Sequence, residues 1–242
     1  MSSEGNKNIV LVMGKPNTGK STSLMKLKEQ DKFAYLNADL KELPFKSKFA
    51  VNVEISDAMN VLDFVDDIEN EPSIRGGVLD TITFLMNMYE RQYVKSARDT
   101  QKAWGAYGDF YRNLIHKLKA GTKDYAVLAH AASNYNEENM SMDVSVPIKG
   151  AVGKTGIEAD FTTIVSTKQM PITKLEGFEN DLLHITPEER EDGFKFVFVT
   201  RITKDSIGEK MRSAMGLWSR KELYIDNDLD QVFARLKQYY GS

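Results

Sequence analysis

Residues 9–13, IVLVM, run directly into GKPNTGKS at 14–21, and no other stretch restricts the fold so tightly. A short run that is apolar at every position reads as a strand buried on both faces, the situation of strands in a parallel sheet. The octet fits the spacing G-x-x-x-x-G-K-[ST], whose glycines let the backbone turn sharply enough for successive N–H groups to face one anion. A helix predicted over 20–30 would add the positive end of its dipole at the same place. Gly14, Lys15, Pro16, Asn17, Thr18, Gly19, Lys20, Ser21 and Thr22 are therefore the expected binding residues for ATP with Mg²⁺. In that arrangement Lys20 bridges the β- and γ-phosphates and the Ser21 hydroxyl ligates the ion.

The rest of the chain alternates strand and helix patterns. Further strands are predicted over 33–37, 49–55, 76–82, 125–131, 161–169 and 194–202, with a short one at ELYI, 222–225. Asp57 is placed to cap a helix presenting Ala58, Val61, Leu62 and Val65 on one face, and another helix follows residue 82 to about 93. Tyr107, Phe110, Tyr111, Leu114, Ile115 and Leu118 fall at helical spacing, as do Leu229, Val232, Phe233 and Leu236 near the end. Residues 96–105 read as a loop, and 133–159 as a long loop with a hairpin inside it. No repeat or Pro/Gly linker divides the chain, so 1–242 is expected to form one α/β domain, a mostly parallel central sheet flanked by helices.

A bound Mg²⁺ usually needs an acid at the tip of a neighbouring buried strand. Asp80, which ends the apolar run GGVLD, fits that role directly or through water, with Thr81 supporting it; the alternative is that Asp80 caps the following helix.

Beyond the phosphate loop, FAYLNADL, VLDTITFL, VLAHA and GAVGKTGIEADFTTIVSTKQ resemble the RecA core in order and spacing, over about 8–210. More narrowly the chain is similar to the small phage ATPases of the Sak group, associated with single-strand annealing and recombination. The resemblance implies a RecA-like P-loop ATPase, stimulated by DNA. It makes Asp39 the carboxylate that polarises the attacking water, where RecA has Glu, with Glu42 second; either acid could instead be a solvated loop residue. It makes His130 the sensor of the γ-phosphate, the other reading being a satisfied structural histidine; His116 and His184 read as structural or exposed. It asks for a cation from the next subunit, with Lys204 first, Arg201 second and Arg212 third, against a solvated basic hairpin.

The same resemblance implies single-stranded DNA held at about 88–107 and 132–158. Charge supports looking there. The whole chain carries 32 Lys and Arg against 35 Asp and Glu, which excludes binding driven by a global positive field. Residues 87–123 nevertheless hold eight basic and three acidic side chains, whereas 54–80 hold eight acids and only Arg75. Arg91, Lys95, Arg98, Lys102, Lys149 and Lys154 are the expected phosphate contacts and Trp104, with Tyr93, the stacking residue, opposed by Glu137, Glu138 and Asp143. A solvated helix face is the bland alternative.

The expected partners are single-stranded DNA, further copies of the chain in a filament or ring, and a single-stranded-DNA-binding protein. Two other classes remain open: a nucleotide kinase, disfavoured because 133–159 contain no arginine for a lid, and a nucleotide-controlled helicase loader or assembly module. An AAA-type motor is disfavoured because the chain after Ile202 is short for a helical lid. With no cysteine, no apolar run long enough for a membrane and a polar start, MSSEGNKN, the expected address is the cytoplasm, that of the host if phage-encoded.

Overall fold

The computed structural model describes residues 5–137 and 140–241. In chain order the strands and helices are β1 (Ile9–Gly14), β2 (Phe33–Asn37), β3 (Val51–Glu54), α1 (Asn60–Asn70), β4 (Gly76–Asp80), α2 (Ile82–Tyr89), α3 (Thr100–Ala120) and β5 (Asp124–His130). There follow β6 (Ala132–Asn136), β7 (Ser141–Ser145), α4 (Gly150–Thr155), β8 (Thr163–Pro171), α5 (Ile172–Leu175), α6 (Pro187–Asp192), β9 (Phe194–Val199), β10 (Tyr224–Asp226) and α7 (Leu229–Tyr240).

Eight strands form one sheet in the order β10-β9-β8-β1-β5-β4-β2-β3. The six from β8 to β3 are parallel, and β9 and β10 add antiparallel strands at one side. This is the expected mostly parallel α/β sheet. β1 lies inside it, between β8 and β5, so each of its residues is buried, as its unbroken apolar run requires. The register aligns Gly14 with His130, and Asp80 with both Leu128 and Asn37, so the strand ends that carry chemistry lie along one edge of the sheet. β5 stands between the phosphate-loop strand and the Asp80 strand.

Two apolar layers cover the sheet. Val61, Leu85, Leu114 and Leu118 of α1, α2 and α3 pack on one face with Leu11 and Met13; Leu24, Leu27 and the Val232, Phe233 and Leu236 stripe of α7 pack on the other with Val10 and Val12. The alternation along β1 thus feeds both layers. Among the described residues no helix is long and apolar enough to cross a membrane.

Three local expectations are corrected. The helix over 20–30 is a 3₁₀ turn, Ser21–Leu24, followed by turns and a second short 3₁₀ segment, Gln30–Lys32. Side chains compete for its backbone groups, and the chain turns: Asp230 accepts from the Lys28 N–H (3.2 Å), the Gln30 amide donates to the Leu24 carbonyl (3.0 Å), and Glu29 turns left-handed at φ 51°. Residues 96–105 are not one loop, because Asp99 accepts from the Lys102 N–H (3.0 Å) and starts α3 at Thr100. The stretch 88–107 is consequently mostly helical, α2 running through a π-helical turn, Glu90–Val94, before α3. The third lies in 133–159: the hairpin expected there is present as β6 paired antiparallel with β7, but the helix α4 follows where loop was expected.

Close strand packing leaves no room for a side chain at Gly76, where a Cβ would stand 2.1 Å from the Asp124 carbonyl oxygen and 2.7 Å from the Phe33 ring. Gly76→Ala is expected to destabilise the fold by about 1–3 kcal/mol, read as a lower urea midpoint; an unchanged midpoint would contradict the tight β4–β5 contact.

Candidate functional site

The phosphate loop closes on itself. Lys20 Nζ donates to the carbonyls of Gly14 (3.0 Å) and Lys15 (2.9 Å), and Thr18 Oγ1 donates to Lys15 O (2.8 Å). Asn17 and Gly19 take positive φ of 60° and 96°, the turns that point the loop's N–H groups inward. Gly14 has no alternative, since a Cβ there would meet Thr167 Oγ1 at 2.0 Å. Two residues distant in sequence hold the loop from outside: the Thr167 and Thr18 hydroxyls share a hydrogen bond (2.6 Å), and Asn227 Nδ2 donates to the Gly19 carbonyl (2.7 Å).

Beside the loop, Asp80 is buried at the tip of β4, and its Oδ2 accepts from Ser21 Oγ (2.8 Å) and from the Tyr35 hydroxyl (2.9 Å). Burial raises its pKa above the usual carboxylate value, against the pull of those two donors. The cap of α2 is not Asp80 but Thr81, whose Oγ1 accepts from the Phe84 N–H (3.3 Å). Asp39 is half-buried next to it, its own N–H donating to the Asp80 carbonyl (3.1 Å) and its carboxylate 3.3 Å from Lys41. His130 ends β5, packs edge-on against Phe84 (5.1 Å), and has no hydrogen-bond partner for either ring nitrogen among the described residues. Burial first and the Lys20 charge second push its pKa below the ordinary histidine value, so it is a neutral imidazole.

Lys20, Ser21, Thr22, Asp39, Lys41, Asp80 and His130 line one cavity of about 390 Å³, with Pro16, Asn17, Gly19 and Phe196. The residues fit a nucleoside triphosphate with Mg²⁺: a cradle of N–H groups at a glycine that tolerates no Cβ, a buried lysine, and a hydroxyl already in contact with a carboxylate. Ser21 and Asp80 would hold the ion. Glu42 is exposed and does not line the cavity; His116 is exposed on α3, and His184 is held by Asp226 (3.0 Å).

The expected cations are elsewhere. Lys204 lines a different cavity, and Arg201 donates to the Trp218 carbonyl (2.6 Å) in a pocket it shares with Arg212. Arg91, Arg98 and Lys102 are exposed along the π-helical turn and the start of α3. Lys149 (2.8 Å) and Lys95 (4.0 Å) surround the buried Glu90, Lys154 is exposed at the end of α4, and Trp104 is half-buried edge-on against Tyr107 (5.1 Å). The Tyr93 hydroxyl donates to Asp57 (2.6 Å), and Asp143 accepts from Asn136 (2.9 Å) while Glu137 is exposed; Glu138 lies outside the described residues. Tyr35, Lys41, Thr167 and Asn227 were not anticipated; only Tyr35, inside a predicted strand beside the site, left any trace in the sequence.

A phosphate loop leaving a buried central strand, with an acid on a parallel strand touching its serine, defines an α/β P-loop NTPase. The sequence model of an AAA domain family, AAA_24, matches residues 6–204, and the chain belongs to that family, a nucleotide-binding ATPase core. The match covers the ATPase core alone; after Ile202 the described residues form no separate helical lid but supply β10 to the sheet and α7 to its face. No curated protein matches the chain.

Lys20 titrates at about 8 because burial outweighs its acidic neighbours. Phosphates favour its charged form, so nucleotide binding above pH 8 takes up a proton. Affinity is expected to fall as pH rises from 8 toward the ordinary lysine range, measured by calorimetry in buffers of different ionisation enthalpy, and a flat profile would contradict the burial. Lys20→Ala should weaken binding roughly ten- to hundredfold.

Proposed function

We propose that the chain is an ATP-hydrolysing, Sak-like recombination or annealing ATPase that binds single-stranded DNA as an oligomer. The observation that carries this reading is His130. It lines the nucleotide cavity as a neutral ring with two free nitrogens, and the chain passes from it through Ala131 directly into the β6–β7 hairpin. A group that can donate to or accept from a terminal phosphate is thus one residue from a surface element, in the stretch where the RecA resemblance puts DNA.

Within the cavity each residue has a task that its position supports. Lys20 leaves two loop carbonyls to meet the phosphates, and Ser21 and Asp80 orient Mg²⁺, which supplies charge neutralisation at the phosphoryl oxygens. Asp39 offers a carboxylate to the attacking water, one atom shorter in reach than the Glu of RecA. Lys41 is a cation of the same chain at that cavity, while Lys204 and Arg201, outside it, are the candidates for completing a neighbour's site in a filament or ring. The exposed Arg91, Arg98 and Lys102 supply a basic strip for the strand.

The test is phosphate release with and without single-stranded DNA at two salt concentrations. DNA is expected to raise the rate, less so at high salt, and His130→Ala to lose the stimulation by a larger factor than it loses basal turnover. Release indifferent to DNA, with phosphoryl transfer to AMP instead, would replace this reading by that of a nucleotide kinase.

A further inference from the structure

A second cavity, of about 710 Å³, lies apart from the nucleotide cavity. It lies on the other flank of the phosphate loop, walled by Gly14, Lys15 and Thr18, by Ser166 to Gln169 of β8, by Ser133, Met140, Met142 and Val144 of the β6–β7 hairpin, and by Lys204 and Ser206 to Glu209. The two cavities share no lining residue. The hairpin and the 204–209 segment are joined over it, the Val144 N–H donating to the Gly208 carbonyl (2.9 Å).

Two polar atoms make this space more than a surface hollow. Glu209 is 8% exposed; its Oε1 pairs with Lys168, while its Oε2 is buried and has no hydrogen-bond partner among the described residues. Ser133 Oγ, on the hairpin side of the same cavity, is also buried without a partner among them. Buried polar groups are normally paired, and a ligand that brought a donor to the carboxylate and a complementary group to the hydroxyl would supply the missing partners. Around them stand apolar side chains that face water, Ile207 at 71%, Met142 at 51% and Met140 at 80% exposure, suited to the face of a flat ring. Lys15 and Lys204 are exposed cations on the same rim.

A buried acceptor and a hydroxyl for a ring edge, adaptable apolar side chains for a ring face and cations for a phosphate together describe one nucleotide unit. We propose that this cavity receives a base of the bound single strand, its exocyclic amino group donating to Glu209 Oε2; this rests on the single-strand reading above. Cytosine and adenine offer such an amino group, whereas thymine offers an N–H set between two carbonyl oxygens that the carboxylate repels.

The experiment compares oligo-dC, oligo-dT and dCMP by fluorescence anisotropy or competition, with ATP present, on the intact protein. Oligo-dC is expected to bind roughly tenfold more tightly than oligo-dT, and Glu209→Gln to bring the two together. Met142→Glu and Ile207→Glu, substitutions at exposed positions with an unchanged Tm as control, should weaken oligo-dC binding and keep the test valid if Glu209→Gln fails to fold. Strands that bind without base preference and ignore all these substitutions overturn the cavity proposal and leave the single-strand reading standing. Binding of dCMP but of neither strand, lost in Met142→Glu, overturns the strand reading and keeps the cavity as a mononucleotide site. Binding of none of the three overturns both.

Discussion

A carboxylate taken almost wholly out of water is the interaction on which the rest of the site depends. Asp80 accepts from a hydroxyl of the phosphate loop and from a hydroxyl of β2, so one oxygen ties three separate segments together at the edge of the sheet. Burial alone would drive that group toward its protonated form, and the two donors oppose this. A divalent cation held by the Ser21 hydroxyl and Asp80 would relieve that buried charge. A loop of backbone N–H groups binds anions well on its own; here its serine also rests on an acid, the pair that would suit a metal-bound phosphate.

The charge distribution has a similar internal logic. The acidic stretch of α1 and the basic stretch of α3 are neighbours in space as well as in sequence, and Lys117 is spent on Asp66 while Lys123 is bound to the Glu71 and Ile74 carbonyls. Lys95 and Lys149 converge on buried Glu90. Among the described residues, the basic side chains of that stretch that face solvent without an acidic partner are Arg91, Arg98 and Lys102.

How much of this the sequence carries depends on how local each cause is. The phosphate loop, Asp80 and the buried strands are legible because their signals, a fixed spacing and unbroken apolar runs, lie within a few adjacent residues. Asp39 and His130 were legible only through resemblance, and the cavity they share confirms proximity rather than role. The turns after Ser21 carry no local sign in the sequence that one backbone donor, the Lys28 N–H, is taken by Asp230 two hundred positions away. Thr167 and Asn227 left no signal at all: a threonine in a strand and an asparagine at a helix start have ordinary reasons to be there, and only the folded chain brings them to the loop.

That distance has a consequence for how the protein comes into being. β1 is made first, but both strands that flank it, β5 and β8, are made more than a hundred residues later, and the amide that holds the Gly19 carbonyl is Asn227. Such far-separated pairings are slow to find, because the intervening chain must be ordered before they are rewarded. On a ribosome the phosphate loop therefore waits for some two hundred further residues before its Asn227 contact can form, and the apolar IVLVM strand stays unflanked until β5 and β8 have been made.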